Sequence, residues 1–191
     1  MTKRFATTRF GGFTLVELMV VVTAVAILAV IAVPAFQRYM RRSRTAEAID
    51  ELDKIYKGAA VYYNTIHVYK TGGKQECQFP RSQALTPAVR CCDPTVDTDG
   101  DGRCDSLPSR FHTESWAALS FQVTDEVYYQ YAFDSSGVKS AAQGTAFAKG
   151  DLDCDGTYST FQRLIFGDPQ ATDSECSSVG GATLYVENET E

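Results

Sequence analysis

The longest hydrophobic feature of the chain is an apolar run over residues 13–36, with the sequence FTLVELMVVVTAVAILAVIAVPAF. As a helix with a rise of 1.5 Å per residue, it would be roughly 36 Å long, enough to cross a bilayer core of about 30 Å. Glu17 is the one acidic residue inside the run. Because a lone carboxylate in hydrocarbon is costly, the pattern predicts a membrane-spanning helix whose carboxylate has a partner.

The helical pattern continues beyond the apolar run. Apolar residues recur every three or four positions from Phe36 to Ile66, with one longer gap at Ser43. This spacing predicts an amphipathic helix of about eight turns. The helix is expected to end near Tyr69, ahead of a Thr-Gly-Gly sequence. Pro34 removes one backbone hydrogen bond and is expected to kink or loosen the helix.

Past residue 70 the pattern becomes irregular and then strand-like. Residues 71–115 contain four of the six cysteines and four of the six prolines, which predicts a long loop. Strand-like runs follow: residues 126–133 are rich in Tyr and Val and end at a turn signal, and further candidate strands lie at 144–149, 158–166 and, as a short edge, 183–186. The expected fold class is α+β: a long N-terminal helix, membrane-spanning in its first half, packed on a small antiparallel β-sheet head.

Charge is distributed unevenly along the 191 residues. Residues 1–12 carry three basic residues and no acid, whereas the chain from Ala46 onward has 11 Lys/Arg against 23 Asp/Glu. An acidic body argues against nucleic-acid binding, which needs a basic surface. It suits solubility and cation binding.

All six cysteines lie beyond residue 76: Cys77, Cys91, Cys92, Cys104, Cys154 and Cys176. An even number of cysteines after a membrane segment predicts disulfides in an oxidising compartment. Neither histidine has zinc-ligand spacing from a cysteine pair. Six cysteines allow 15 pairings, and the sequence does not choose among them.

Three interpretations of the N-terminal segment compete. A secretory signal peptide has a basic start and an apolar run, but the run in this chain is long for one. The Gly-Gly pair also lies before the apolar run, whereas a signal peptide is cut after its apolar run. A plain membrane anchor leaves Glu17 unexplained. In the third interpretation, Gly12, Phe13, Glu17 and Pro34, in that order, resemble the N-terminal signature of type IV pilins and pseudopilins.

That resemblance implies a domain organisation and a processing step. Residues 1–12 would be a prepilin leader peptide, and a membrane-embedded prepilin peptidase would cut between Gly12 and Phe13 and methylate the new amine of Phe13. Residues 13–36 would form the transmembrane and filament-core helix, 37–70 its amphipathic continuation and 71–191 the globular head. Glu17 of one subunit would pair with the N-terminal amine of a neighbour and set the axial register, and Pro34 would be tolerated in the packed bundle.

Two acidic segments resemble calcium-binding loops. The first has carboxylates at Asp97, Asp99, Asp101 and Asp105 but lacks the closing glutamate of an EF-hand, so it is more similar to the short repeats of thrombospondins. The second repeats the spacing with Asp151, Asp153 and Asp155. The alternative is an ordinary Asp- and Gly-rich turn without an ion. Calcium is the only cofactor expected.

The sequence predicts a structural function and no enzyme, since no catalytic constellation is evident. The resemblance implies a pilin or minor pilin of a type IV pilus, supporting adhesion, motility or DNA uptake. It would polymerise with other pilins through an inner-membrane assembly platform. The first alternative is a pseudopilin of a type II secretion system, and the second a membrane-anchored calcium-binding adhesive module. The expected location is the inner membrane before assembly, then an extracellular pilus or a periplasmic pseudopilus.

Overall fold

The computed structural model describes residues 12–171 and 175–190, and the side chain of Ala182 is not described. The predicted leader, residues 1–12, therefore lies outside the described residues except for Gly12. The contacts divide the chain into two compact units, one ending at Met40 and the other covering Arg41–Glu191. Each unit is described by itself below.

The described residues form one long helix and five strands, which confirms the α+β, pilin-like fold expected from the sequence. Helix α1 covers Leu15–Asn64, with Pro34 inside it, and a short helix, α2, covers Glu114–Ala118. The strands are β1 Gln83–Thr86, β2 Tyr129–Ser136, β3 Gln143–Gly150, β4 Ser159–Gly167 and β5 Ser178–Glu187. They form one antiparallel sheet in the order β1-β2-β3-β4-β5.

The second half of α1 contributes one face to the core of the compact unit Arg41–Glu191. The buried positions are spaced by three or four residues, so they form a single stripe: Thr45, Ala48, Leu52, Ile55, Ala59 and Tyr63. The helix ends at Asn64, five residues before the predicted end near Tyr69. The prediction was wrong here because residues 67–75 fold back as a hairpin, in which Tyr69 N–H donates to the Gly73 carbonyl at 2.7 Å.

Strand β3 is made of small residues on its buried face because both neighbours present large ones. Tyr131 on β2 and Phe161 on β4 both pair with Ala148, and all three side chains are at most 1% exposed. This arrangement lets the aromatic rings close over the small residues between them. The strands predicted at 144–149 and 158–166 are confirmed by β3 and β4 within one residue at each end.

Two regular elements lie in or beside the segment predicted as a long loop. Strand β1 pairs Gln83 with Phe133 at the edge of the sheet. Helix α2 starts after Thr113, whose hydroxyl accepts the N–H of Trp116 at 3.2 Å and caps the helix. The side chain of Trp116 is fully buried, so the segment contributes to the core rather than only covering it.

Candidate functional site

The start of helix α1 is closed by three reciprocal hydrogen bonds between Thr14 and Glu17. The Glu17 carboxylate accepts the backbone N–H of Thr14 at 3.0 Å and its hydroxyl at 2.7 Å, while the Thr14 hydroxyl accepts the N–H of Glu17 at 3.2 Å. This is a capping box, which satisfies donors that a helix start leaves unpaired. Sequence reasoning missed Thr14, although Thr-x-x-Glu before an apolar run is the signal for it.

The capping box gives Glu17 a partner within its own chain. The carboxylate is exposed, and it stands one helical turn from the residue that would carry the new amine after a cut at Gly12. Two roles therefore meet at Glu17: an acceptor at the helix start, and a negative charge available to a neighbouring molecule.

The first half of α1 presents apolar side chains outward along its described length. Leu15 is 73% exposed and Ile31 is 71% exposed. Helix α1 is long and apolar enough to cross a membrane, and none of its most apolar stretch is buried. Apolar surface on this scale implies a lipid or protein environment around the helix.

The first acidic loop, residues 97–105, is organised around the carboxylate of Asp97. One oxygen accepts the N–H groups of Gly100 at 2.7 Å and Asp101 at 3.1 Å, and the other accepts that of Gly102 at 2.9 Å. Burial alone would raise the pKa of Asp97, but the backbone N–H groups of Gly102, Gly100 and Asp101 outweigh it and lower the pKa. The carboxylate is therefore held ionised.

Three carboxylates of the first acidic loop come together, and the fourth predicted ligand does not join them. Oxygens of Asp97, Asp99 and Asp105 lie within 4.8 Å of one another. Asp101 instead accepts the N–H of Arg103 at 2.8 Å, which places it outside that group. Three carboxylate oxygens at this separation could hold a divalent metal ion, and calcium is among the ions that take oxygen ligands.

The second acidic loop, residues 151–155, brings together all three of its predicted ligands. Oxygens of Asp151, Asp153 and Asp155 also lie within 4.8 Å of one another. Asp151 is buried and accepts the N–H groups of Asp155 at 3.1 Å and Gly156 at 3.0 Å. A metal ion could be held here too.

The two acidic loops differ in how their charge is balanced. In the second loop, Asp151 lies 3.1 Å from Arg90 and Asp153 lies 2.8 Å from Arg41. In the first loop, no ion pair within residues 12–171 and 175–190 involves Asp97, Asp99 or Asp105. Arginines therefore balance part of the charge of the grouped carboxylates in the second loop, whereas Arg103 of the first loop pairs with Asp101, outside the group.

All six cysteines are joined in disulfides, as the even count predicted. Cys77 pairs with Cys176, Cys91 with Cys104, and Cys92 with Cys154. The neighbours Cys91 and Cys92 therefore tie down both acidic loops, because Cys104 belongs to the first and Cys154 to the second. This pairing fixes two charged loops to one short segment of backbone.

Comparison with known proteins assigns the N-terminal segment. Residues 7–33 match the family described as the prokaryotic N-terminal methylation motif, which is the type IV prepilin signature. No curated protein and no solved structure matches the chain significantly. The motif is that of a prepilin peptidase substrate that assembles with other pilins, and the apolar helix fits inner-membrane anchoring before assembly.

Proposed function

We propose, from the prepilin signature at residues 7–33, that the chain is a pilin or minor pilin of a type IV pilus. The observation that carries the proposal is the order of features along the chain. The matched motif leads directly into an exposed apolar helix, and that helix continues into a disulfide-linked α+β unit. A polymer built on a helical core needs each of these parts.

In this proposal, prepilin peptidase removes residues 1–12 and methylates the new N-terminal amine of Phe13. Residues 13–36 anchor the subunit in the inner membrane and then pack in the filament core. Glu17 pairs with the amine of a neighbouring subunit, Pro34 is accommodated among neighbouring helices, and residues 71–191 form most of the head. The filament carries adhesion, motility or DNA uptake outside the cell.

A pseudopilin of a type II secretion system is the second candidate, and the acidic loops are the observation in its favour. Two groups of three carboxylates, each able to hold a cation, suit a calcium-stabilised periplasmic head. A membrane-anchored calcium-binding module that never polymerises is a weaker candidate, since an anchor needs no carboxylate at Glu17.

Intact-mass spectrometry of the protein purified from host membranes tests the processing step. The expected mass lacks residues 1–12 and includes one added methyl group on Phe13. A mature chain that keeps Met1, or begins after residue 36, would overturn the prepilin proposal.

Electron microscopy of sheared surface filaments, followed by mass spectrometry of their subunits, distinguishes the two filament systems. A pilin is expected in the sheared surface fraction. A pseudopilin is expected to remain with the cells, and its deletion is expected to block protein export.

A further inference from the structure

A cavity of about 520 Å³ lies beside the far end of α1 in the compact unit Arg41–Glu191. The hairpin of residues 67–75 forms one wall and α2 forms another. This volume falls within the range of about 300–1,000 Å³ that is typical of small-molecule sites. The cavity is separate from the two acidic loops and from the methylation motif, so the proposed filament role does not explain it.

The side chains around the cavity are of mixed chemistry. They include the exposed ring of a tyrosine, two side-chain amides, two cations and one carboxylate: Tyr69, Gln75, Gln78, Lys70, Arg81 and Glu114. Tyr69 is 53% exposed, so its ring is accessible. A site that presents donors, acceptors and an apolar ring together matches a ligand with the same mixture.

The cavity has two cations, Lys70 and Arg81, in a unit that is acidic as a whole. The chain from Ala46 onward has 23 Asp/Glu against 11 Lys/Arg, and most cations of this unit lie beside a carboxylate. Within residues 12–171 and 175–190, however, no ion pair involves Lys70, Arg81 or Glu114. Two unpaired cations at one cavity of an acidic molecule point to an anionic ligand.

We propose that this cavity binds an acidic saccharide, with its carboxylate on Arg81 and Lys70 and one sugar ring against Tyr69. Arginine recognises a carboxylate with two parallel hydrogen bonds, and lysine adds a point charge. The C–H face of a sugar ring packs on the apolar face of tyrosine. Gln75 and Gln78 both donate and accept, as sugar hydroxyls require.

Glu114 distinguishes a saccharide from a nucleic acid at this cavity. A carboxylate accepts hydrogen bonds from hydroxyl groups, which a uronic acid carries on every ring and the interior of a DNA strand lacks. A uronic-acid chain carries one carboxylate and several hydroxyls per sugar, so it has partners for both signs of charge in the cavity. A single-stranded nucleic acid would prefer a groove without the carboxylate.

The test is titration calorimetry of the full chain in detergent micelles, with tetragalacturonate, an uncharged tetrasaccharide and a short oligothymidylate as probes. Tetragalacturonate is expected to bind with a Kd of about 0.1–1 mM, in the range of weak single-site association. Arg81→Ala is expected to weaken binding roughly tenfold, since hydrogen bonds to charged groups are among the stronger ones. Lys57→Ala removes an exposed cation outside the cavity and is the matched control.

The outcomes separate the alternatives. Binding of tetragalacturonate that is weakened by Arg81→Ala and Tyr69→Ala, but not by Lys57→Ala, supports the proposal. Equal binding of the uncharged tetrasaccharide, no binding of either saccharide at 10-fold excess over the expected Kd, or Arg81-dependent binding of oligothymidylate alone would each overturn it. A far-ultraviolet circular dichroism spectrum of each variant establishes that a lost signal is not a lost fold.

Discussion

The Nη1 atom of Arg41 lies 2.8 Å from the Oδ2 atom of Asp153. Arg41 belongs to helix α1, so this ion pair fastens the second acidic loop to the helix while balancing part of its charge. Arg44 adds a hydrogen bond from its guanidinium to the Leu152 carbonyl at 3.1 Å. A cation would have to compete with arginine for the grouped carboxylates of the second loop, whereas in the first loop the only aspartate with an arginine ion pair among the described residues is Asp101, outside the group.

Calcium is therefore expected to stabilise the protein through the first acidic loop rather than the second. For a weak extracellular-type site with a Kd of about 10⁻⁴ M, 1 mM calcium adds about 1.4 kcal/mol to the free energy of unfolding. This corresponds to a rise in melting temperature of about 3–5 °C for a protein of this size. Thermal melting of the full chain in detergent, with calcium or with chelator, measures the shift.

Two matched variants locate the calcium effect. Asp99→Ala and Asp153→Ala remove the carboxylate at the equivalent third position of each loop. The first is expected to abolish the calcium-dependent rise, and the second to preserve it while lowering the melting temperature under both conditions. If calcium does not raise the melting temperature of the unmutated protein, both loops are ordinary turns that do not bind the ion.

Glu17 can be assigned to filament assembly or to the helix cap with two substitutions. Glu17→Gln keeps an acceptor for the Thr14 N–H and hydroxyl groups but removes the negative charge, whereas Glu17→Ala removes both. If the charge pairs with a neighbour's amine, both variants should insert in the membrane and both should be lost from sheared filaments. Filament incorporation of Glu17→Gln at the unmutated level would show that only the cap matters.

Glu47 makes the stability of the helix–sheet unit sensitive to pH. Burial raises the pKa of Glu47, although its hydrogen bonds from the Tyr131 hydroxyl and the Tyr128 N–H lower it in part, and the charge of Glu51 raises it further. A raised pKa means that the folded state disfavours the charged form. The resulting loss of folding stability is absent at a pH below the pKa of Glu47 in the unfolded state, near 4.5. It is complete at a pH above the raised pKa of Glu47 in the folded state.

Glu47→Gln should remove this pH-dependent penalty. Relative to the unmutated protein, the variant is expected to gain stability as the pH rises from about 4 to 7, because glutamine still accepts a hydrogen bond from Tyr131. Urea unfolding of the full chain in detergent at several pH values measures the difference. Asp50→Asn, at an exposed position of α1, is the control, and a Glu47→Gln difference that does not change with pH would contradict the assignment.

Gly58 lies where α1 passes the end of α2, and the closeness of the backbones requires glycine. A Cβ atom at this position would lie 1.9 Å from the Leu119 carbonyl oxygen. Gly58→Ala should therefore destabilise the protein by about 1–3 kcal/mol, although alanine normally favours a helix interior by about 1 kcal/mol.

Gly73→Ala is the control for that substitution, since its Cβ would meet only a Tyr69 side-chain atom at 3.7 Å. It should change the free energy of unfolding by less than about 0.5 kcal/mol. Equal effects of the two substitutions in chemical denaturation would mean that α1 and α2 can move apart at little cost.

The elements that the sequence predicted are those whose pattern reflects local packing. The helix stripe and strands β3 and β4 follow periods of 3.6 and two, because each faces the core on one side. The strand predicted at 126–133 begins three residues later in the structure and extends to Ser136. The prediction at 183–186 found only part of β5, because Gly180 breaks the strand pattern where the Tyr56 hydroxyl approaches from α1.

The candidate site was predictable only where its residues are adjacent in the chain. Glu17 and the acidic loops follow from short motifs. The disulfide pairs, the Arg41–Asp153 ion pair and the cavity next to Tyr69 join residues far apart in sequence, and such contacts depend on the tertiary fold rather than on any local pattern. Strand β1 was missed for the same reason, since its pairing with β2 defines it.

The order of the cysteines along the chain has a consequence for biogenesis. The partner of Cys91 lies 13 residues further along the chain, and that of Cys92 lies 62 residues further along. The partner of Cys77 is 99 residues away. In a head exported from its N-terminal end, an oxidase that joins thiols as they emerge would link Cys77 to Cys91. Correct maturation then requires either delayed oxidation or a disulfide isomerase, so the yield of native subunit should depend on the thiol-exchange machinery of the host.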